Sequence, residues 1–197
     1  APATLRTWAR RYGLGPSSHE AGEHRKYCPN DLAKLTLMRR LISAGVSPAD
    51  AAAQAISHKG EVKVEKILKN CEIREEVVSS IVNAANSLDR IFVEELLLKD
   101  IAKYGVIDSW QEVMVPVLVI VGDAWAATGT GIEVEHLLSE TIMGILRDRI
   151  KQLKSPINAR PVLIASVGEE IHSLAIHALH AALAEAKVDC NFLGART

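Results

Sequence analysis

Apolar positions recur at helical spacing along most of this chain and turn into short continuous runs only near its end. Residues 3 to 12, ATLRTWARRY, set Leu5 and Trp8 on one helical face, with Arg6 and Arg10 four apart on another and Arg11 beside them. Trp8 is expected in the core. GLGPSSHEAGEHRKY follows, broken by glycines and Pro16 and closed by the basic cluster His24-Arg25-Lys26 and Tyr27, which reads as a hairpin wing. Asn30 or Asp31 is placed to cap a second helix, with Leu32, Leu35, Leu37, Met38, Leu41 and Ile42 spaced for core contact and Gly45 as its end. Ser47 and Pro48 then open a third helix as cap and first residue.

Residues 58 to 72 are polar and weakly patterned, so they read as a linker. Four helical patterns follow, at roughly 73 to 86, 88 to 104, 108 to 128 and 132 to 154, with Gly105 and Gly129-Thr130-Gly131 as breaks. Their natural packing is an antiparallel four-helix bundle. After residue 157 the pattern becomes VLIASVG, a helix over 170 to 187, then VDCNFLG. That is β-α-β grammar, with the turn after the first strand at the edge where open α/β sheets bind ligands. A single such unit cannot cover both faces of a sheet, so the chain reads as stopping inside a domain, and a supporting helix is expected ahead of the first one.

Composition agrees with a globular, mainly helical protein: 197 residues, 48% hydrophobic, only 4% aromatic. No run of 18 apolar residues is seen, because Asp123, Glu133 and Glu135 interrupt the longest stretch, and the chain reads as cytoplasmic, with no membrane partner. Cys28, Cys71 and Cys190 are odd in number and far apart, which points to neither a disulfide framework nor a zinc site. The net charge of −1 conceals an asymmetry, for residues 1 to 40 hold eight Lys/Arg against three Asp/Glu. A basic module joined to an acidic body fits a reader of polyanions.

TLRTWARRYGL followed by GEHRKY resembles the helix and wing of MerR-family DNA-binding domains over residues 3 to 54. The resemblance implies that Arg6, Arg10, Arg11 and Tyr12 face double-stranded promoter DNA from the helix, and that His24, Arg25 and Tyr27 do so from the wing. Arg supplies a rigid fork for phosphate or guanine, and Tyr grips the backbone. Ala9 departs from the acidic residue usual after this Trp.

Trp125, nine residues of spacer and Glu135-His136 form a second constellation. Judged singly, Trp125 would be a core side chain and Glu135-His136 a solvated helix start. With their flanks they resemble the bundle that caps the upper face of cobalamin in the CarH/LitR group of light-responsive MerR-type repressors and, more distantly, the methionine synthase cap. The resemblance implies that Trp125 and Ile132 cover an organic axial ligand and that Glu135 and His136 hydrogen-bond it. Ala126 stands where a cobalt-ligating His follows the Trp in light-responsive members.

Within SVGEEIHSLA, Glu170 and His172 resemble the E-x-H-x-x-G loop of cobalamin-binding domains. By that resemblance His172 is the lower axial ligand of the cobalt, with Glu170 tuning it. Ala175 replaces the usual Gly, and His177 and His180 read as surface or packing residues.

The expected architecture is mainly α with an α/β end: a winged helix-turn-helix over 1–57, a linker over 58–72, a four-helix cobalamin cap over 73–157, and over 158–197 the incomplete start of a Rossmann-like, flavodoxin-like cobalamin-binding domain. The expected function is a transcriptional regulator, not an enzyme, controlled by adenosylcobalamin and light through a dimer or tetramer. The alternatives are a cobalamin-independent repressor with a vestigial cofactor fold, or a corrinoid methyl carrier.

Overall fold

In a computed structural model the described residues are 2–18, 24–58, 73–166 and 173–194. They are mostly helical, with two short parallel strands. Two compact units are formed, residues 1–76 and 77–197.

The first unit contains α1 (Pro2–Tyr12), α2 (Pro29–Ser43) and α3 (Pro48–Ser57). α1 buries no residue completely, so Trp8 is half-buried and not the core side chain expected from its spacing. The core comes from α2 and α3 instead, through Leu35, Met38 and Leu41 with the small side chains Ala51, Ala52 and Ala55. Leu32 points outward and is exposed, against the pattern, because it sits in the first turn of α2, ahead of the stretch that meets α3.

Neither Asn30 nor Asp31 is the N-cap of α2. Cys28, in extended conformation, takes that position, Pro29 opens the helix, and Asp31 lies at its third residue. The Asp31 Oδ2 accepts from the Cys28 N–H at 3.0 Å, the Ser17 N–H at 3.1 Å and the Ser17 hydroxyl at 3.1 Å. This buried carboxylate ties the segment before α2 to the helix start. It also claims amides that a strand ladder would use, and Pro16 and Pro29 have none to offer. Described residues 13–18 and 24–28 carry no strand, and residues 19–23 of the expected wing lie outside the described residues. Gly15 lies where any side chain would press on α1, since its Cβ would stand 3.1 Å from the Ala9 Cβ. α3 starts as its sequence dictates, with the Ser47 hydroxyl accepting the Asp50 N–H at 3.2 Å ahead of Pro48.

The second unit carries α4 (Arg74–Asn86, counted from Val77), α5 (Arg90–Ser109), α6 (Val115–Thr128) and α7 (Ile132–Lys151). Phe92, Leu96, Leu97, Ile101, Leu138 and Ile142 are the large side chains at its centre. Asp89 caps α5 through the Phe92 N–H. Gly105, at φ 84 and ψ 173, breaks the helix where the sequence placed a break. The helix resumes at Val106 and passes through one π turn, Trp110–Met114, before α6. Pro116 explains that turn: it lacks the N–H that the Glu112 carbonyl would receive, and the neighbouring bond widens to Val115 N–H onto the Trp110 carbonyl. The run Arg90–Thr128 is long and apolar enough, by length and composition, to cross a membrane, but it is kinked at Gly105 and sends Phe92, Leu96, Leu97 and Ile101 into the core of the unit.

β1 (Val162–Ile164), α8 (Leu174–Glu185) and β2 (Cys190–Phe192) complete the unit, and the strands pair in parallel with Val162 opposite Cys190. Asn158 sets this pairing from outside the ladder. Its amide donates to the Asp189 carbonyl at 2.9 Å while its carbonyl accepts the Asp189 N–H at 2.8 Å. α8 packs on α7 and also touches α5, which joins the β-α-β segment to the helices. His177 and His180 are buried against Phe192, with ring centroids 4.4 and 6.2 Å away. Val162 and Leu163 remain exposed.

Candidate DNA-reading and cobalamin-capping sites

In the first unit, helical spacing places Arg6 and Arg10 one turn apart on the solvent side of α1, and both are exposed. The chain returns Arg25 to the same place. Arg6, Arg10 and Arg25 line a concavity of about 680 Å³ with Ala3, Thr7 and Ala9. Three cations from two segments converge on one shallow surface floored by small side chains, an arrangement suited to a phosphodiester backbone. Thr7 and Ala3 were not singled out from the sequence, although the i, i+3 and i+4 spacing from Ala3 to Arg6 and Thr7 carried the signal. Arg11 and His24 are exposed but do not line this concavity, and Tyr12 is half-buried. Tyr27 differs from the others: its hydroxyl is out of solvent and has no hydrogen-bond partner among the described residues.

The Asp31 carboxyl behind this surface is held below its ordinary value of 3.8, above all by the Ser17 backbone N–H, with burial opposing and the Cys28 N–H adding. Its charge is thus part of how the loop beside α1 is fastened.

In the second unit, Trp125 lies one turn before the end of α6 and Glu135 one turn into α7. Gly129 and Gly131, both left-handed at φ 65 and 93, close the connection, and the Gly129 N–H donates to the Trp125 carbonyl at 2.7 Å. Thr128 and Thr130 stiffen it through hydroxyl contact at 2.9 Å. The hairpin therefore brings Trp125, Ile132, Glu135 and His136 to one end of the helix pair. Trp125 is 45% exposed and Ile132 44%, so neither is a core side chain. Glu135 is anchored on both oxygens, with Oε1 accepting from the Ser139 hydroxyl at 2.8 Å and Oε2 lying 2.9 Å from His136 Nδ1.

A large exposed indole beside an exposed aliphatic side chain and an oriented carboxylate–imidazole pair fits a broad ligand with an apolar face and polar substituents. A corrin with an organic upper ligand is such a group, and Trp125, Ile132, Glu135 and His136 are the residues that would hold it. Ala126 is exposed next to Trp125 and offers no ligand atom. Val115, Val119 and Ile120 are also exposed on α6, apolar surface outside the Trp125 and Glu135-His136 motif. Glu170 and His172 lie outside the described residues. Among the described residues no group of His, Cys, Asp and Glu is arranged to hold a bare metal ion.

Comparison with known proteins divides along the same lines. Residues 1–54 match the MerR HTH family regulatory protein, and residues 77–147 match the B12 binding domain. The HTH-type transcriptional repressor CarH of Myxococcus xanthus is 26% identical over 204 aligned residues, which cover 98% of this chain and 66% of that protein. The chain thus spans just under two thirds of that relative's length. A basic helical unit matched by the MerR HTH family and an indole-bearing hairpin matched by the B12 binding domain stand in the same chain, which is similar over most of its length to the repressor CarH.

Proposed function

We propose that the protein is a transcriptional repressor that binds double-stranded promoter DNA and changes its assembly state with adenosylcobalamin. The observation that carries this reading is the presence, in one chain, of a cationic concavity at Arg6, Arg10 and Arg25 and an exposed Trp125–Glu135 hairpin. Arg6, Arg10 and Arg25 hold the backbone of the duplex, with Arg11, Tyr12, His24 and Tyr27 at its borders. Trp125, Ile132, Glu135 and His136 would hold the cofactor from the hairpin, and His172 with Glu170 would hold it from the β-α-β segment. When bound, cobalamin would supply a light-sensitive cobalt–carbon bond. About 5.5 kcal/mol of differential binding at these residues would move a two-state population from 1:99 to 99:1.

The protein acts in the cytoplasm as a dimer or tetramer of itself and performs no chemistry on a substrate. Light would be the signal read at this site, and because the Ala126 side chain provides no cobalt ligand the lit state would be held differently from that of members with a His at this position.

The test is a dark absorption spectrum of the full-length protein after incubation with adenosylcobalamin and desalting, beside His172→Ala and Trp125→Ala. A retained corrin spectrum that shifts in His172→Ala and bleaches with light is the expected result. No retained corrin overturns the cofactor reading and favours a cobalamin-independent repressor, the alternative to which Ala126 and Ala175 lend weight. Methyl transfer by the corrinoid-loaded protein would overturn the regulator reading in favour of a carrier.

A further inference from the structure

Glu185, at the last position of α8, reaches across to the break in α5. Its Oε2 accepts the Val106 N–H at 2.9 Å, over a sequence separation of 79 residues. Val106 is fully buried and opens the helical run that continues through the π turn and α6 to Trp125. Because Gly105 is not helical, the Val106 N–H is cut off from the carbonyl four residues back that an unbroken helix would give it. Glu185 supplies the missing acceptor, and supplies it as an anion at the positive end of the resumed helix. Gly105 is what admits it. A Cβ there would stand 2.9 Å from the same Glu185 oxygen, and the φ of +84 strains any other residue.

The two ends of this contact belong to the two sides of the proposed cofactor site. α8 directly follows residues 167–172, which include His172, and the run from Val106 ends in the Trp125 hairpin. We infer that Glu185 is a positioning residue: its carboxylate latches the β-α-β segment to the start of the Val106–Thr128 run and so fixes the Trp125 hairpin relative to the segment that bears the lower ligand. The inference rests on the cobalamin reading above. It adds that discrimination between upper ligands depends on a side chain that touches no ligand. A latch of this kind affects ligands that reach Trp125 more than those that do not.

The experiment compares wild type, Glu185→Ala and Glu185→Gln in the full-length protein. In cofactor-free protein, hydrogen exchange of the Val106 amide is expected to quicken by about tenfold or more in Glu185→Ala, and to return towards wild type in Glu185→Gln, whose side-chain carbonyl still accepts. With cofactor, the preference for adenosylcobalamin over hydroxocobalamin is expected to fall by about tenfold in Glu185→Ala and to recover in Glu185→Gln. Unchanged exchange at Val106 overturns the latch. Quickened exchange with an unchanged ligand preference overturns its positioning role while leaving the cofactor reading intact. Wild-type protein that retains neither cobalamin overturns the cofactor reading and the positioning role with it, whereas the exchange measurement still decides the latch.

Discussion

Ser109 donates its hydroxyl to the Asp100 carboxylate at 2.5 Å, across the helix break at Gly105, and both residues are buried. The bond spans the residues that fail to be helical and holds the two arms of the break at a fixed angle. Ser109→Ala removes a donor from a buried anion, and hydrogen bonds to charged groups contribute about 1.5–3 kcal/mol. The expected outcome is a lower urea midpoint for the second unit with the slope unchanged. An unaltered midpoint would show that this bond does not hold the break.

The Asp31 carboxylate links Ser17 and Cys28 with three hydrogen bonds. Its pKa is depressed in the fold, so its contribution is present above the unfolded value near 3.8 and is lost as pH falls through the lower folded value. Asp31→Ala is expected to destabilise the first unit by about 3 kcal/mol and to flatten this acid-sensitive part of its stability profile. Thermal melts from pH 5 down to pH 2 check both.

On the proposed reading the three arginines of the concavity act on phosphate, and that term is read by salt. Arg6→Ala, Arg10→Ala and Arg25→Ala are each expected to lower the slope of log affinity against log salt by about 0.9 for duplex DNA, with little change in sequence preference for a residue that touches only backbone. Fluorescence anisotropy at several salt concentrations measures it. An unchanged slope for Arg25→Ala would remove the loop before α2 from the interface.

His177 and His180 form a buried pair on α8, and among the described residues the His177 Nδ1 has no hydrogen-bond partner. Burial lowers both pKa values below the ordinary 6.5. Arg147 and then His180 lower that of His177 further, while Asp189 partly offsets the effect at His180. A lowered histidine pKa leaves stability full above 6.5 and takes it away as pH falls from 6.5 to the folded value, since the unfolded chain accepts the proton first. Near-ultraviolet or exchange signals from the β-α-β segment should therefore weaken as pH falls below 6.5. His177→Phe is expected to reduce that dependence.

Local chemistry made much of this protein legible in its sequence. Periodicity, the Ser47-Pro48 start, the Gly105 break and the Gly129–Gly131 turn act within a few residues, and so does the alternation of strand, helix and strand at the end. The placement of the candidate residues was legible for the same reason: Arg6 to Arg10 is one helical turn, and Trp125 to Glu135 is one hairpin. Tertiary structure decided what depends on distant partners. It turned Leu32 outward, left Trp8 half-buried, buried His177 and His180, and gave Asp31 to Ser17 and Cys28 in place of a plain cap. It also brought Arg25 to α1 and Glu185 to Val106. An isolated stretch of sequence states which groups need a partner, because each polar group and apolar face has a fixed demand; which partner meets that demand is settled only when the chain closes on itself.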